Sequence, residues 1–285
     1  MLVKFDCYDC ILSQIVRIAR DMSSDDSVRH DMMRKFLSAI EKNVCRFTPP
    51  EMAAEFYDIC RRMFPDKDHF REEKLKSTEL AVKIYPELKK IVNASTDPFA
   101  AALKLAIGGN IIDFGVNPDF DLGNADGAIR DVINMPVDEN AAAELKKRID
   151  AAGKILYIMD NCGEAVIDRL LLEQLSGKVT IAVRGLPILN DITRAEIIPS
   201  GLGDFPAVDT GDGTPGVSPR RSPEFIEVMR SADLIIAKGQ GNFESLEGNF
   251  SDKPLFFLFR AKCPVVQKYL NVAPGSMQII GKNLF

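Results

Sequence analysis

The sequence of 285 residues has no excess of positive charge, because 36 Lys and Arg stand against 41 Asp and Glu and the net charge is −5. Proteins that bind the phosphate backbone of nucleic acids need a basic stripe to release counterions, so we expect no nucleic-acid partner. No apolar run approaches the roughly 18 residues needed to cross a bilayer, and the first residues lack a signal-peptide pattern. These absences predict a cytoplasmic protein without a membrane partner.

Cysteine is also scarce, with six residues in the chain. Six cysteines in a chain of this length without a secretion signal indicate reduced thiols rather than a disulfide framework. Cys7 and Cys10 stand apart, because their spacing lets two thiolates face one zinc ion or form a redox disulfide. No second Cys-x-x-Cys exists to complete a closed zinc site, and the residues after Cys10 have helical spacing. Incidental buried thiols, a metal site and a redox pair therefore remain open alternatives.

Three short apolar runs end abruptly in polar residues. The runs 155–159, 179–183 and 234–237 lead to Asp160-Asn161, to Arg184 with Asp191 soon after, and to Lys238 followed by Gly-Gln-Gly. This layout is typical of buried parallel strands that deliver side chains to the carboxyl edge of an open α/β sheet, where such sheets bind ligands. An Asp or Asn after a strand is also a common helix N-cap, which is the alternative for the first pair. Two acids and a lysine at three neighbouring strand ends favour a ligand-binding site over helix capping alone.

The chain changes character near residue 110. The first hundred residues have the apolar spacing of helices, whereas short apolar runs alternate with helical segments after residue 154. We predict a helical N-terminal domain over 1–109 and an α/β domain over 110–285 that carries the active site. The predicted fold is a mostly parallel, Rossmann-like sheet with flanking helices and right-handed crossovers. Strands are predicted near 154–160, 179–184, 234–238, 255–259 and 277–280.

Two segments are less regular. The charged stretch 68–92 predicts a long helix with a solvated face. The stretch 199–223 is rich in glycine and proline and has no apolar period, so a binding loop or lid and a disordered insert are equal alternatives for it.

The motifs at the strand ends resemble those of the metal-dependent damage-control phosphatases, the domain of unknown function 89. The matching motifs are Asp-Asn-x-Gly-Glu at 160–164, Arg-Gly-x-Pro-x-x-Asn-Asp at 184–191, Lys-Gly-Gln-Gly-Asn-Phe-Glu at 238–244 and Gly-Gly-Asn-Ile-Ile-Asp-Phe-Gly at 108–115. The resemblance covers nearly the whole chain, and the Cys-x-x-Cys start is similar to the prokaryotic branch. It implies that Asp160, Asn161 and Asp191 hold a divalent metal. It also implies that Lys238 and Lys262 lie near the substrate phosphate.

This set of residues suits the hydrolysis of a phosphate monoester, which needs neutralised phosphoryl oxygens and an oriented nucleophile. Oxygen and amide ligands permit Mg²⁺, Mn²⁺, Co²⁺ or Ni²⁺. The nucleophile is expected to be a water held by the metal, with Asp160 as the alternative. The expected substrate is a small phosphorylated metabolite, such as a sugar phosphate or a phosphopantetheine-like compound, and the expected role is metabolite damage control. The candidate catalytic residues are Asp160, Asn161, Asp191 and Lys238, and the candidate substrate-binding residues are Asn110, Arg184, Gly239, Gly241, Asn242, Glu244 and Lys262.

Several alternatives are kept beside this interpretation. Arg184 either binds substrate or pairs with an internal carboxylate, and Asn110 is either a site residue or a turn residue. One branch of the family has been labelled a carboxyl methyltransferase, so an S-adenosylmethionine enzyme is the enzymatic alternative. A metal or thiol sensor built on Cys7 and Cys10 is the non-enzymatic one. A nicotinamide enzyme is disfavoured, because Glu244 replaces the third glycine of the dinucleotide fingerprint.

Overall fold

The computed structural model describes residues 1–41, 46–65, 67–109, 129–175, 178–218, 221–248 and 252–284. Helices dominate the first half of the described chain, and 129–134 is a further short helical segment. The helices are α1 (Cys7–Met22), α2 (Asp26–Ile40), α3 (Pro49–Met63), α4 (Arg71–Ala94), α5 (Pro98–Gly108), α6 (Glu139–Ala151), α7 (Cys162–Leu172), α8 (Pro223–Ser231), α9 (Gln240–Leu246) and α10 (Pro264–Leu270), with a 3₁₀ turn at Arg194–Glu196.

A six-stranded sheet forms the centre of the second half. Its strands are β1 (Ile155–Ile158), β2 (Val179–Val183), β3 (Ala207–Asp209), β4 (Leu234–Lys238), β5 (Leu255–Arg260) and β6 (Met277–Lys282). They lie in the order β3-β2-β1-β4-β5-β6, and every neighbouring pair is parallel except β5 with β6. The predicted fold class is therefore confirmed, and all five predicted strands are present. The direction of winding reverses between β1 and β4, where doubly wound sheets leave a crevice for ligands.

The sheet is buried on both faces, which explains its near-continuous apolar strands. Each residue of β1 and β4 is buried, including Lys238 at the end of β4. One face packs against α4, α5, α6 and α7, and the other packs against α8, α9 and α10. Helices α1, α2 and α3 form a separate apolar cluster beside the sheet.

The predicted domain boundary, between residues 109 and 110, falls where the described residues stop before resuming at 129. Helices α1–α5 do fill the predicted N-terminal part, but α4 and α5 pack directly on α7 and share the core of the sheet. Helix α4 is less solvated than its charge suggests, since Lys74, Ser77 and Thr78 on it are buried. The domain boundary itself stays a prediction.

The described part of the segment 199–223, residues 199–218 and 221–223, is structured, which argues against a disordered insert, whereas a binding role for it stays a prediction. Ala207–Asp209 pairs with β2 as the parallel edge strand β3, and Leu202, Val208 and Val217 are buried. A three-residue strand is too short to give a recognisable alternation, so the sequence signal was missing. None of the helices in the described ranges is long and apolar enough to cross a membrane.

Candidate active site

The carboxyl ends of β1 and β2 are joined to each other just beyond the sheet. Asn161 and Asp191 form an isolated antiparallel bridge. The Ile192 amide donates to the carbonyl of Asp160 at 2.9 Å, and the Cys162 amide donates to the carbonyl of Asn190 at 2.9 Å. These backbone bonds hold the two acids of the sequence motifs side by side at the crevice.

Asn161 occupies the N-cap position of α7, yet its side chain does not cap the helix. Its Nδ2 donates instead to Asp160 Oδ2 at 3.2 Å and lies 3.5 Å from Glu164 Oε2. Helix capping explains the backbone position of this residue but not its carboxamide. The carboxamide belongs to a polar group that faces the crevice.

Asp191 is held by Arg184 from behind. Arg184 Nε donates to Asp191 Oδ2 at 2.7 Å, and Nη2 lies 3.5 Å from Asp160 Oδ1. Its Nη1 donates to the Gly216 carbonyl and to Asn242 Oδ1, each at 3.1 Å, and the whole side chain is buried. Of the two alternatives for Arg184, the structure has the internal pair. Its Nη2 is buried without a hydrogen bond, so a direct contact between Arg184 and a substrate stays a prediction.

The acid cluster carries more negative charge than its buried bases balance. Burial, together with the charges of Asp191 and Glu164, raises the pKa of Asp160 well above its usual range, while Arg184 opposes the rise. Burial likewise raises the pKa of Asp191, again against the effect of Arg184. Four carboxylates (Asp160, Glu164, Asp168 and Asp191) surround two cations (Arg184 and Lys238), which leaves two negative charges if all ionise. A divalent cation would balance that excess.

Lys238 lies beneath the crevice rather than in its wall. Its ammonium is fully buried and donates to Glu164 Oε1 at 2.7 Å, Asp168 Oδ1 at 2.5 Å and the Ala106 carbonyl at 2.8 Å. All three ammonium protons therefore have acceptors. Burial lowers the pKa of Lys238, but the two carboxylates outweigh it and the net shift is upward. The predicted contact with a phosphate would require one of these acceptors to be exchanged.

Glycine is required where the β4–α9 turn passes the acids. Gly239 has φ +79°, and a Cβ there would lie 2.0 Å from Asp160 Oδ2. A Cβ on Gly241 would lie 2.1 Å from the Pro215 carbonyl oxygen. The two glycines predicted to bind substrate thus allow the turn to approach Asp160 on one side and the 199–223 segment on the other.

Asn242 and Glu244 on α9 have different surroundings. Asn242 is fully buried, and its Nδ2 donates to the carbonyls of Met159 at 3.1 Å and Lys238 at 2.6 Å, so it ties the ends of β1 and β4 together. Glu244 lines the crevice and accepts from Gln240 Nε2 at 2.8 Å. Burial raises the pKa of Glu244 to about 7.

A cavity of about 1080 Å³ opens above this group of residues. Its wall includes Asp160, Asn161, Glu164, Asp191, Gly239, Gly241, Glu244 and Lys262, but not Arg184, Lys238 or Asn242. Cys7 and Cys10 line the same cavity at the start of α1, together with Cys263. Asn110 lies outside the described residues, and so does the rest of its motif after Gly109. Lys262 is exposed at the rim.

Sequence reasoning missed Asp168. This aspartate is fully buried one helical turn after Glu164, and burial raises its pKa to about 7 although Lys238 opposes the rise. The available signal was its spacing, because Glu164 and Asp168 lie four residues apart on α7 and therefore share one face of a mostly apolar helix.

Comparisons with known proteins agree with the motifs and the fold. The family model of the damage-control phosphatase ARMT1-like domain matches residues 3–277. The chain is 34% identical to the damage-control phosphatase PH1575 of Pyrococcus horikoshii, over 97% of each chain. It is 30% identical to a damage-control phosphatase of Archaeoglobus fulgidus, over 95% of this chain and 96% of that one. A crystal structure of the P. horikoshii protein, described as a DUF89 family member, superposes with a TM-score of 0.88 at 33% identity, over 98% of this chain and 99% of that one. The chain therefore belongs to the damage-control phosphatases with an ARMT1-like domain.

Proposed function

We propose that this phosphatase hydrolyses small phosphorylated metabolites with the help of one divalent cation held by Asp160, Asn161 and Asp191. The observation that carries the proposal is the group of one buried carboxylate (Asp191), one partly buried carboxylate (Asp160) and one non-capping carboxamide in the wall of a single cavity. It lies at the switch point of the sheet, where this fold class binds ligands.

The residues fit a hard cation. Carboxylate and carboxamide oxygens are the ligands preferred by Mg²⁺ and accepted by Mn²⁺, Co²⁺ and Ni²⁺. Burial, together with the charges of Asp191 and Glu164, raises the pKa of Asp160, and a bound cation would offset this unbalanced negative charge. When bound, such an ion supplies positive charge to the phosphoryl oxygens.

Three basic residues would position the carboxylates and contact the substrate. Arg184 fixes the carboxylate of Asp191 and keeps a positive charge 3.5 Å from Asp160. Lys238 holds Glu164, whose second carboxylate oxygen stays directed towards Asn161 and the cavity, where it can accept a hydrogen bond from a water or a substrate hydroxyl. Lys262 is exposed at the rim and can reach a phosphate as a point charge.

The substrate class rests on the family and on the cavity. The relatives are named damage-control phosphatases, which supports a role in removing unwanted phosphorylated metabolites. The cavity is large enough to enclose a metabolite beyond its phosphate, since small-molecule sites are typically about 300–1,000 Å³. A sugar phosphate and a phosphopantetheine-like compound both satisfy these conditions.

The test is hydrolysis of p-nitrophenyl phosphate by chelated protein before and after Mg²⁺ or Mn²⁺ is restored. We expect activity to disappear on chelation and to return with the ion. Asn161→Ala should lose at least tenfold in activity at limiting metal with little change in thermal stability, because its side chain caps nothing.

The matched control is Asp138→Ala, which removes a side chain that does cap its helix, through Ala141 N at 3.0 Å. It should lose about 1 kcal/mol of stability and keep its activity. Full turnover in excess chelator would contradict the proposed function. So would an Asn161→Ala protein with the metal requirement of the parent.

A further inference from the structure

One wall of the cavity is basic, in a chain that is acidic overall. From Leu255 to the end, the sequence contains Arg260, Lys262, Lys268 and Lys282 and no aspartate or glutamate. The first three line the cavity, from the end of β5 through the following loop to α10. We call Arg260, Lys262 and Lys268 the basic wall.

Arg260 is the most informative member of this wall. Its guanidinium is half-buried, and Nε donates to the Gly275 carbonyl at 3.0 Å. Gly275 has φ +72°, and a Cβ there would lie 2.9 Å from Arg260 Nη2, so the glycine leaves room for the guanidinium. No carboxylate of the described residues pairs with Arg260, and burial without such a partner lowers its pKa. Withdrawing a guanidinium from water without an anion costs free energy, which a bound anion would offset.

Lys268 adds a second cation on the same wall. It is exposed on α10 and, within the described ranges, has no ion-pair partner. By contrast, Lys282, the basic residue of this segment outside the cavity, pairs with Glu247 at 3.0 Å. Asp6 and Asp9, at the start of α1, also line the cavity.

We propose that Arg260 and Lys268 form a subsite for a second anionic group of the substrate, either a second phosphate or a carboxylate. The proposal rests on the proposed function for the place of the first phosphate, between the acid cluster and Lys262. A planar guanidinium can bind either anion with two parallel hydrogen bonds, and the flexible ammonium adds charge. The cavity volume of about 1080 Å³ leaves space for both ends of such a molecule.

The experiment measures competition against p-nitrophenyl phosphate with matched pairs of compounds. Glucose 1-phosphate is compared with glucose 1,6-bisphosphate for a second phosphate, and glycerol 3-phosphate with 3-phosphoglycerate for a carboxylate. In the parent protein we expect the second anionic group to lower Ki at least tenfold in one of the pairs, equivalent to about 1.4 kcal/mol. The two pairs distinguish the two kinds of anion.

Variants locate the effect. In Arg260→Ala/Lys268→Ala the preference should fall below about twofold, while Ki for the compounds with one anionic group stays within about twofold of the parent value. Arg260→Gln and Lys268→Gln serve as single variants if the double variant does not fold. Lys253→Ala is the control, because this lysine lies before the opposite end of β5 and outside the cavity wall.

Three results would overturn the subsite: no preference for a second anion in the parent, a preference that survives the loss of both bases, or one that Lys253→Ala also removes. If the parent does not hydrolyse the aryl phosphate, the proposed function fails. Calorimetric titration of the metal-loaded protein with the same pairs then tests the subsite alone, by the same ratios.

Discussion

Replacing Lys238 by Met tests whether this lysine acts within the protein or on the phosphate. Met has a similar volume and no charge, so the change removes the ammonium and leaves Glu164 and Asp168 buried without their cation. Removing one partner of a buried ion pair costs about 3–5 kcal/mol. Since 1 kcal/mol shifts the melting temperature of a large domain by about 2–4 °C, we expect a decrease of about 6–20 °C.

The assay is thermal unfolding at pH 5 and at pH 8, beside metal titration and phosphatase kinetics on the same preparations. Burial raises the pKa of Asp168 to about 7 even with Lys238 present, and loss of the lysine should raise it further. A carboxyl with a raised folded-state pKa destabilises the fold as pH rises through that pKa. The deficit of the variant should therefore be larger at pH 8 than at pH 5. Metal binding should persist, because the variant site is more negative, while turnover falls with the misplaced Glu164.

Two further variants show whether the loss of stability comes from the buried carboxylates. Lys74→Met removes another buried lysine, but one whose partner Asp68 lies 3.1 Å away and is 21% exposed, so its loss of stability should be smaller. Lys238→Met/Asp168→Asn should recover part of the stability by removing one of the two orphaned carboxylates. A Lys238→Met protein that melts like the parent at both pH values, yet has lost turnover, would contradict an internal role for Lys238 and favour its direct contact with the phosphate.

Two further predictions concern the turn and helix after β4. Gly239→Ala should lose about 1–2 kcal/mol of stability and most metal affinity. Gly248→Ala, at φ +78° and with no atom of the described residues within 4 Å of its Cβ, should lose only the conformational part of that stability. Equal metal affinity in calorimetric titrations of the two proteins would count against a close approach of the turn to the acids. Because burial raises the pKa of Glu244 to about 7, Glu244→Gln should stabilise the fold above pH 7 and have little effect below about pH 4. Glu247→Gln should instead destabilise the fold above pH 7, since the ion pair with Lys282 contributes to the lowered pKa of Glu247. Thermal unfolding across this pH range measures both effects, and a change in the same direction in both variants would contradict the prediction.

The strands and the helices before them could be predicted because each has a strong local pattern. Fully buried strands such as β1 and β4 appear as short apolar runs, and helices with one apolar face have a clear period. The edge strand β3 has three residues and no such pattern. Its position depends on pairing with β2, which is a long-range property that no local window contains.

The residue types of the candidate site could be predicted from the sequence, but which of them face the cavity and which are buried behind it could not. Asp160, Asn161 and Asp191 follow strands, and the strand ends of a parallel sheet meet at one edge. Whether a charged residue at such an end faces the cavity or the core depends on what packs behind it. Ala106 and Asp168 provide acceptors for Lys238 from α5 and α7, and their partnership with β4 is not encoded in the spacing of any motif.

We propose that one divalent cation, bound at the joined ends of β1 and β2, is required for phosphatase turnover. The most direct test titrates chelated protein with Mn²⁺ and follows bound metal and p-nitrophenyl phosphate hydrolysis together, in the parent and in Asp191→Asn. We expect both signals to saturate together at one ion per chain in the parent, and both to weaken at least tenfold in the variant. Activity that precedes metal binding, or an Asp191→Asn protein that binds Mn²⁺ and turns over like the parent, would contradict a catalytic metal at this site.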